Sequence, residues 1–136
     1  MKSLKRGLLA GLVAAMACSP TLASAACRLS DFAGTWAVYT TAVSGENLFW
    51  SRCKISINTA GIIDYSVCPL SIGSNVAFIN GFVNIASAAD CTFRVTATIG
   101  GTKHAASHIT LARDSLTAKG VGKANTANFT MDFVKI

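Results

Sequence analysis

Residues 91–99 alternate between apolar and polar side chains along their whole length. The apolar positions are Phe93, Val95, Ala97 and Ile99, and threonine or arginine fills the positions between them. Because successive side chains of a β-strand point to opposite faces, this period of two predicts a strand with one buried face. Runs rich in Thr, Val, Ile and Phe recur through residues 26–136, separated by Gly, Asn, Asp or Ser about every ten residues. The sequence therefore predicts an all-β domain.

The same pattern delimits further strands. They are predicted at 35–41, 48–57, 62–67, 76–85, 91–99 and 128–136. A turn is expected at 58–61, where Gly61 can adopt a positive φ, and a loop is expected at 69–75. The segment 76–85 contains Asn80-Gly81, a pair that favours a two-residue hairpin turn. It is therefore either two short strands or one strand with a bulge.

Residues 103–119 allow two interpretations. Ala105, Ile109, Ala112 and Leu116 recur at helical spacing, and Gly120 could end such a helix. Threonines and a turn-like segment at 113–115 instead suit two strands joined by a turn. We favour the two strands, because the surrounding chain is β throughout.

About eight strands within residues 26–136 predict a small antiparallel up-and-down barrel. Closing such a meander removes the unpaired sheet edges that an open sheet must protect. An eight-stranded barrel has an interior just wide enough for packed side chains or one small ligand. We expect residues 26–136 to form this single domain.

The first 25 residues have the three parts of a secretory signal peptide. These are a basic region, an apolar run and a small-residue cleavage pattern, formed by Lys2, Lys5 and Arg6, by residues 7–17, and by Ala23-Ser24-Ala25. The apolar run is shorter than the roughly 20 residues that span a bilayer. We therefore expect residues 1–25 to be a signal peptide, the protein to be periplasmic or secreted, and no membrane span.

Cleavage after residue 25 changes the charge of the protein. Three of the 12 basic residues lie in the leader and all six acidic residues lie after it, so the net charge falls from +6 to +3. The remaining basic residues are scattered, whereas nucleic-acid binding needs a clustered basic stripe. We expect no nucleic-acid partner.

Cleavage also removes Cys18 and leaves an even number of cysteines, namely Cys27, Cys53, Cys68 and Cys91. In an exported domain of this size, two disulfides are expected. Four cysteines allow three connectivities. A hairpin between 53 and 68 favours Cys53–Cys68 with Cys27–Cys91. Lipidation at Cys18 or Cys27 is the competing interpretation, although neither is preceded by a Leu-like residue three positions earlier.

Gly34 and Trp36 form a Gly-x-Trp motif at the entry to the first predicted strand. This motif resembles the start of the calycin barrels, which include lipocalins, avidins and small periplasmic inhibitors of metalloproteases. The resemblance implies an up-and-down barrel in which Trp36 closes one end. It also implies binding of a small ligand or of a protease. Residues 26–32 would correspond to the inhibitors' inserting segment, but a disulfide at Cys27 would tether it.

Residues with catalytic or metal-binding chemistry do not form a recognisable motif. His104 and His108 have the spacing H-x-x-x-H, but the glutamate of the zinc-protease motif is missing. On a strand they would lie roughly 13 Å apart, too far to share a metal. Pairing across the turn at 100–101 would set His104 opposite Ala97 and His108 opposite Phe93, on the apolar face. We expect a non-enzymatic protein with no metal and no cofactor.

Aromatic residues are the remaining candidates for a binding site. They are Trp36, Tyr39, Trp50, Tyr65 and Phe78. Trp50 lies on the strand face opposite Phe49, so one face must expose a large ring or meet a partner. We expect binding of a small apolar ligand in or at the mouth of a barrel. The alternatives are a protein-binding module, such as a protease inhibitor using residues 26–32 or the Trp50 strand, and a surface or structural protein.

The leader makes a direct prediction about the secreted product. Expression of the full chain in a secreting bacterial host should give a protein whose intact mass corresponds to a chain that begins at Ala26, with both disulfides formed and no acyl group. Mass spectrometry before and after reduction measures this. A mass that includes residues 1–25, or one that carries an acyl chain, would contradict the assignment of residues 1–25 as a cleaved leader.

Overall fold

A computed structural model describes residues 26–70, 73–77, 79–99 and 101–136. After a short 3₁₀ helix (Leu29–Phe32), these residues form nine strands. The strands are β1 (Gly34–Ser44), β2 (Asn47–Ile57), β3 (Ile63–Leu70), β4 (Gly73–Ala77), β5 (Ile79–Ser87), β6 (Thr92–Ile99), β7 (Thr102–Leu111), β8 (Thr117–Ala124) and β9 (Ala127–Lys135). The proposed leader, including Cys18, lies outside the described residues.

Each strand pairs antiparallel with a neighbour in the chain, and β9 returns to pair with β1. β4 pairs with β3, β5 pairs with β6, and a single position separates β4 from β5 in the chain. Two contacts join β5 to the segment between β2 and β3. They are a bridge between Ile62 and Phe82 and a 2.7 Å hydrogen bond from Val83 N–H to the Gly61 carbonyl. The protein is thus an all-β, nearly closed up-and-down barrel of eight to nine strands, as predicted.

The ambiguous segment 103–119 forms strands rather than a helix. β7 and β8 are joined by a turn in which Ala112 N–H donates to the Thr117 carbonyl and Leu116 N–H donates to Asp114 Oδ1. Ser115 adopts a positive φ of 56° in this turn. Thus the Arg113–Ser115 region supplies the turn, and the apolar residues at helical spacing are divided between β7, which contains Ala105 and Ile109, and the turn, which contains Ala112 and Leu116.

Two details around the fourth predicted strand differ from expectation. Asn80 and Gly81 do not form a hairpin turn, since they pair with Thr98 and Ala97 inside β5. The expected loop at 69–75 is also wrong in its described part, because Pro69 pairs with Val76 between β3 and β4. The pairing of β3 with β4 and of β5 with β6 therefore outweighs the local turn preference of these residues.

A β-bulge in β7 corrects the expected position of His108. His104 pairs with Ala97 as predicted, but Phe93 pairs with Ile109 rather than with His108. The extra residue in β7 shifts the alternation by one, so Ile109 is buried and His108 is exposed. The bulge therefore removes His108 from the apolar face and leaves His104 on it.

Aromatic rings fill one end of the barrel. Phe32, Trp36, Phe93 and Phe133 are essentially inaccessible to solvent. The Phe32 ring lies at the centre of this set, with ring centroids 5.0 Å from Trp36, 4.9 Å from Phe93 and 5.6 Å from Phe133. The Trp36 indole N–H donates a 2.9 Å hydrogen bond to the Phe32 carbonyl. We call these four residues the aromatic plug.

Gly34 allows a cation to cover the plug. It adopts a φ of +133°, and a Cβ there would lie 2.6 Å from Lys135 Cε. The Lys135 ammonium lies 5.1 Å from the Trp36 ring centroid, within the range of a cation–π contact. The Gly-x-Trp motif thus forms a packed barrel end, as the resemblance implied for Trp36.

Two disulfides pair Cys27 with Cys91 and Cys53 with Cys68, the connectivity that the sequence favoured. The first joins the lead-in to the start of β6, and Cys27 N–H also donates to the Ala88 carbonyl. The second links β2 to β3, with 4.1 Å between the Cα atoms. Both bonds therefore reinforce the packing of segments that surround the core.

The plug predicts a large difference between two phenylalanines. Phe32→Ala should lower the free energy of unfolding by about 3–5 kcal/mol, because it leaves a cavity among three rings. Phe82→Ala removes the same group from the outer surface, where Phe82 is 49% exposed, and should cost less than about 1 kcal/mol. Urea unfolding measures both. Equal losses for the two variants would contradict the role of the plug.

Candidate ligand-binding cavity

The end of the barrel opposite the aromatic plug contains a cavity of about 500 Å³. Its deepest boundary includes Phe133 of the plug. Its mouth lies between the β1–β2, β6–β7 and β8–β9 turns, since the lining includes Ser44, Thr102 and residues 124–127. The interior is therefore filled at one end and open at the other.

Small side chains explain why space remains in the open half. The inward positions along the cavity include Ala42, Ala97, Ala106 and Ala124, one from each of β1, β6, β7 and β8. In the plug half, phenylalanine and tryptophan occupy inward positions of β1, β6 and β9. Because interiors pack densely wherever side-chain volume permits, this difference in size leaves the cavity on one side.

Strand β8 has only small residues on its inward face, namely Ala118, Gly120, Gly122 and Ala124. The Phe129 ring of the adjacent β9 lies against Gly122, where an added Cβ would overlap the ring and crowd the Ala105 carbonyl. Phe129 is buried and borders the cavity. Gly122 thus leaves room for the Phe129 ring against the barrel wall beside the open space.

The apolar wall is completed by larger side chains from several strands. They are Val38, Phe49, Ile55, Ile63, Val95, Ile99, Phe129 and Met131. Cys53, which forms a disulfide with Cys68, also borders the cavity. A wall of this composition favours ligands that are largely hydrocarbon or aromatic.

A few polar groups interrupt this wall. Most are hydroxyls and amides, from Thr40, Ser44, Ser51, Thr102, Asn125 and Thr126. His104 is the described lining residue with an ionisable side chain, and its Nδ1 lies 2.9 Å from the Thr102 carbonyl oxygen. Its ring lies 6.0 Å from the Phe129 ring, centroid to centroid. With the imidazole neutral, the chemistry available here is hydrogen bonding rather than ion pairing.

In the described part of the chain, the charged side chains lie on the outer surface. The Arg52 guanidinium sits over the Tyr39 ring, 5.7 Å from its centroid, on neighbouring strands. Lys119 and Asp132 form an exposed ion pair at 3.5 Å, which contributes little to stability. None of the described lining residues is an aspartate, glutamate, lysine or arginine.

Of the five aromatic residues expected to bind a ligand, three have side chains that the structure describes, and these three, Trp36, Tyr39 and Trp50, are not brought together. Trp36 is fully buried in the plug, and Tyr39 is 45% exposed on the outer face. Trp50 is 56% exposed and borders the cavity. The structure describes the backbone of Tyr65 in β3 but not its side chain, and Phe78 lies outside the described residues. Of the three whose side chains the structure describes, Trp50 is the one that borders the cavity.

Several residues at the cavity are not identified by sequence reasoning. Phe129 and Met131 could be identified as cavity residues, because they alternate inward on the last predicted strand. Phe49, which the sequence placed on the face opposite Trp50 among the aromatic residues able to line a cavity, does border it. The importance of His104 depends on the small residues around it, and no single-strand pattern reveals those neighbours.

The lead-in to β1 is held against the barrel. Cys27 is bonded to Cys91, Phe32 is part of the plug, and Arg28 N–H donates a 2.7 Å hydrogen bond to Asp31 Oδ2.

Within the described part of the chain, no three His, Cys, Asp or Glu side chains are grouped to hold a metal ion. No described helix has the length and apolar character to cross a membrane.

The fold and the cavity define a small antiparallel β-barrel. No family model and no curated protein matches the chain. Among solved structures, it is similar to a redesigned β-barrel, mFAP0, bound to DFHBI, with 19% identity and a TM-score of 0.60 over 77% of this chain and 99% of that one. It is also similar to a de novo designed fluorescence-activating β-barrel, with 13% identity and a TM-score of 0.57 over 81% of this chain and 99% of that one. These likenesses establish the barrel fold.

The contact between Gly122 and Phe129 predicts a sensitive position in the cavity wall. Gly122→Ala should lower the free energy of unfolding by about 1–3 kcal/mol, because the new methyl group forces Phe129 and the β7 backbone to move. Lys123→Ala, on the exposed face of the same strand, should change it by less than about 0.5 kcal/mol. Chemical denaturation measures both. A Gly122→Ala protein as stable as the Lys123→Ala control would show that Phe129 does not need this space.

Proposed function

We propose that this protein is a non-enzymatic binding protein that holds a small apolar ligand in the open half of its barrel. The observation that carries the proposal is the cavity of about 500 Å³ with a predominantly apolar wall and a polar mouth. Ligand pockets in proteins have volumes of roughly 300–1,000 Å³ and combine apolar walls with a few polar groups. The aromatic plug supports the open half from below, so the site is built into a rigid scaffold.

The two similar solved structures support the size argument. One of them is a barrel bound to the small molecule DFHBI, and the other is described as fluorescence-activating. A barrel of this overall fold can therefore hold one small molecule. The natural ligand of this chain is a separate question, which depends on its own cavity wall.

We propose further that the barrel is of the calycin type and acts in the periplasm or outside the cell. The calycin assignment is supported by Gly34 and Trp36 at the packed end of β1. Export is supported by the two disulfides, which persist mainly in oxidising compartments. A carrier or scavenger of small apolar molecules fits both assignments.

A second candidate is protein binding at the β1–β2 hairpin. Val43 and Leu48 are directly paired across the hairpin and are 51% and 66% exposed, and Trp50 follows two residues later. Such a cluster of exposed apolar side chains is typical of an interaction surface. A protease-inhibitor mechanism that inserts the lead-in gains no such support, because Phe32 is buried.

A filling variant distinguishes the two candidates. Ala42 borders the cavity, so Ala42→Phe should occupy part of it and weaken binding of the neutral apolar dye Nile red by about tenfold or more. Thr41→Phe adds the same ring to the outer face of the same strand and should leave dye affinity within about twofold of wild type. Fluorescence titration measures both affinities.

The ligand proposal fails if the wild-type protein binds no Nile red, or if the Ala42 and Thr41 variants bind it equally well. Circular dichroism and urea unfolding of each variant establish that the barrel is intact. Binding of a protein partner at the hairpin would be unaffected by Ala42→Phe, which separates the second candidate from the first.

A further inference from the structure

We infer that the cavity selects uncharged apolar ligands that carry one hydrogen-bond donor, such as a hydroxyl group, and that His104 accepts this hydrogen bond. The inference rests on the proposed function and assigns a specificity-determining residue to the same cavity. It follows from the hydrogen bond that orients the imidazole and from the side chains around it.

The backbone fixes which ring nitrogen carries the proton. His104 Nδ1 lies 2.9 Å from the carbonyl oxygen of Thr102, and a carbonyl oxygen can only accept a hydrogen bond. Nδ1 must therefore be the donor. In a neutral imidazole the other nitrogen, Nε2, is then an acceptor. Because no buried side-chain nitrogen or oxygen among the described residues lacks a partner, Nε2 is either bonded or accessible.

Small neighbours leave room beside the imidazole. His104 pairs with Ala97 on one side and with Ala124 on the other, and both alanines border the cavity. The Phe129 ring packs at 6.0 Å and limits the positions that the imidazole can occupy. The alanines leave space for a ligand next to His104, and Phe129 supplies an apolar surface for the body of that ligand.

The charge of the cavity sets the rest of the ligand class. No described lining residue is acidic, lysine or arginine, so with His104 neutral a permanently charged ligand would lose its hydration without gaining an opposite charge. A purely hydrocarbon ligand would avoid that cost but would leave the histidine acceptor without a partner. An uncharged, largely apolar molecule with one hydroxyl satisfies both the wall and Nε2.

Naphthol and its methyl ether test this inference, because they share a ring system and only naphthol donates a hydrogen bond. At mildly alkaline pH, wild-type protein should bind naphthol about three- to tenfold more tightly than the ether, as expected for one hydrogen bond. His104→Phe should remove this preference and leave affinity for the ether within about twofold. His104→Gln, which keeps an acceptor, should retain it. His108→Phe is the matched control, since His108 is exposed beyond the bulge.

The outcomes separate this inference from the function on which it rests. If wild type binds no Nile red, the proposed function fails. If Nile red binds but naphthol and the ether bind equally, or if His104→Phe weakens both equally, the cavity binds ligands but His104 does not select them. The ¹⁵N shift of the His104 imidazole in wild-type protein is an independent readout. It should change with naphthol more than with the ether, and equal changes would overturn the inference.

Discussion

The packing of Phe32 against Trp36, Phe93 and Phe133 determines which half of the barrel interior is filled and which half stays open. Phe32 comes from the lead-in and the other three rings come from β1, β6 and β9, so one cluster joins the 3₁₀ helix to three strands of the sheet. Lys135 covers Trp36, and the Cys27–Cys91 disulfide holds the lead-in beside the start of β6. Since this end is filled, the opposite half of the barrel can remain open without exposing the core.

The cavity follows from how side-chain size is distributed along the strands. Ala106 of β7 and the alanines and glycines of β8 occupy inward positions, and the Phe129 ring lies against Gly122 in the wall. Side chains of ordinary size at these positions would fill the interior. The sequence thus provides an apolar space with one oriented imidazole, and the described Asp, Glu, Lys and Arg side chains lie outside it.

Much of this architecture is predictable from strand alternation. The inward faces of β1, β6 and β9 and the pairing of His104 with Ala97 agree with the period of two, and the turn near 113–115 agrees with the turn-forming residues there. Features that depend on neighbouring strands are not predictable from this alternation. The bulge that exposes His108, the place of Asn80-Gly81 inside β5 and the open half of the interior arise from cross-strand register and packing. For the same reason, the sequence alone does not distinguish a ligand contact from a ring such as Trp36, which packs in the plug, or Tyr39, which faces outward.

The division of the interior into a filled half and an open apolar half is the central claim, and xenon binding tests it most directly. Xenon enters dry apolar cavities and is visible by diffraction. A crystal structure of residues 26–136 under xenon pressure should show xenon beside Val38, Ala97 and Phe129, and none among the four rings of the plug. A barrel whose open half is filled by side chains and takes up no xenon would contradict the account.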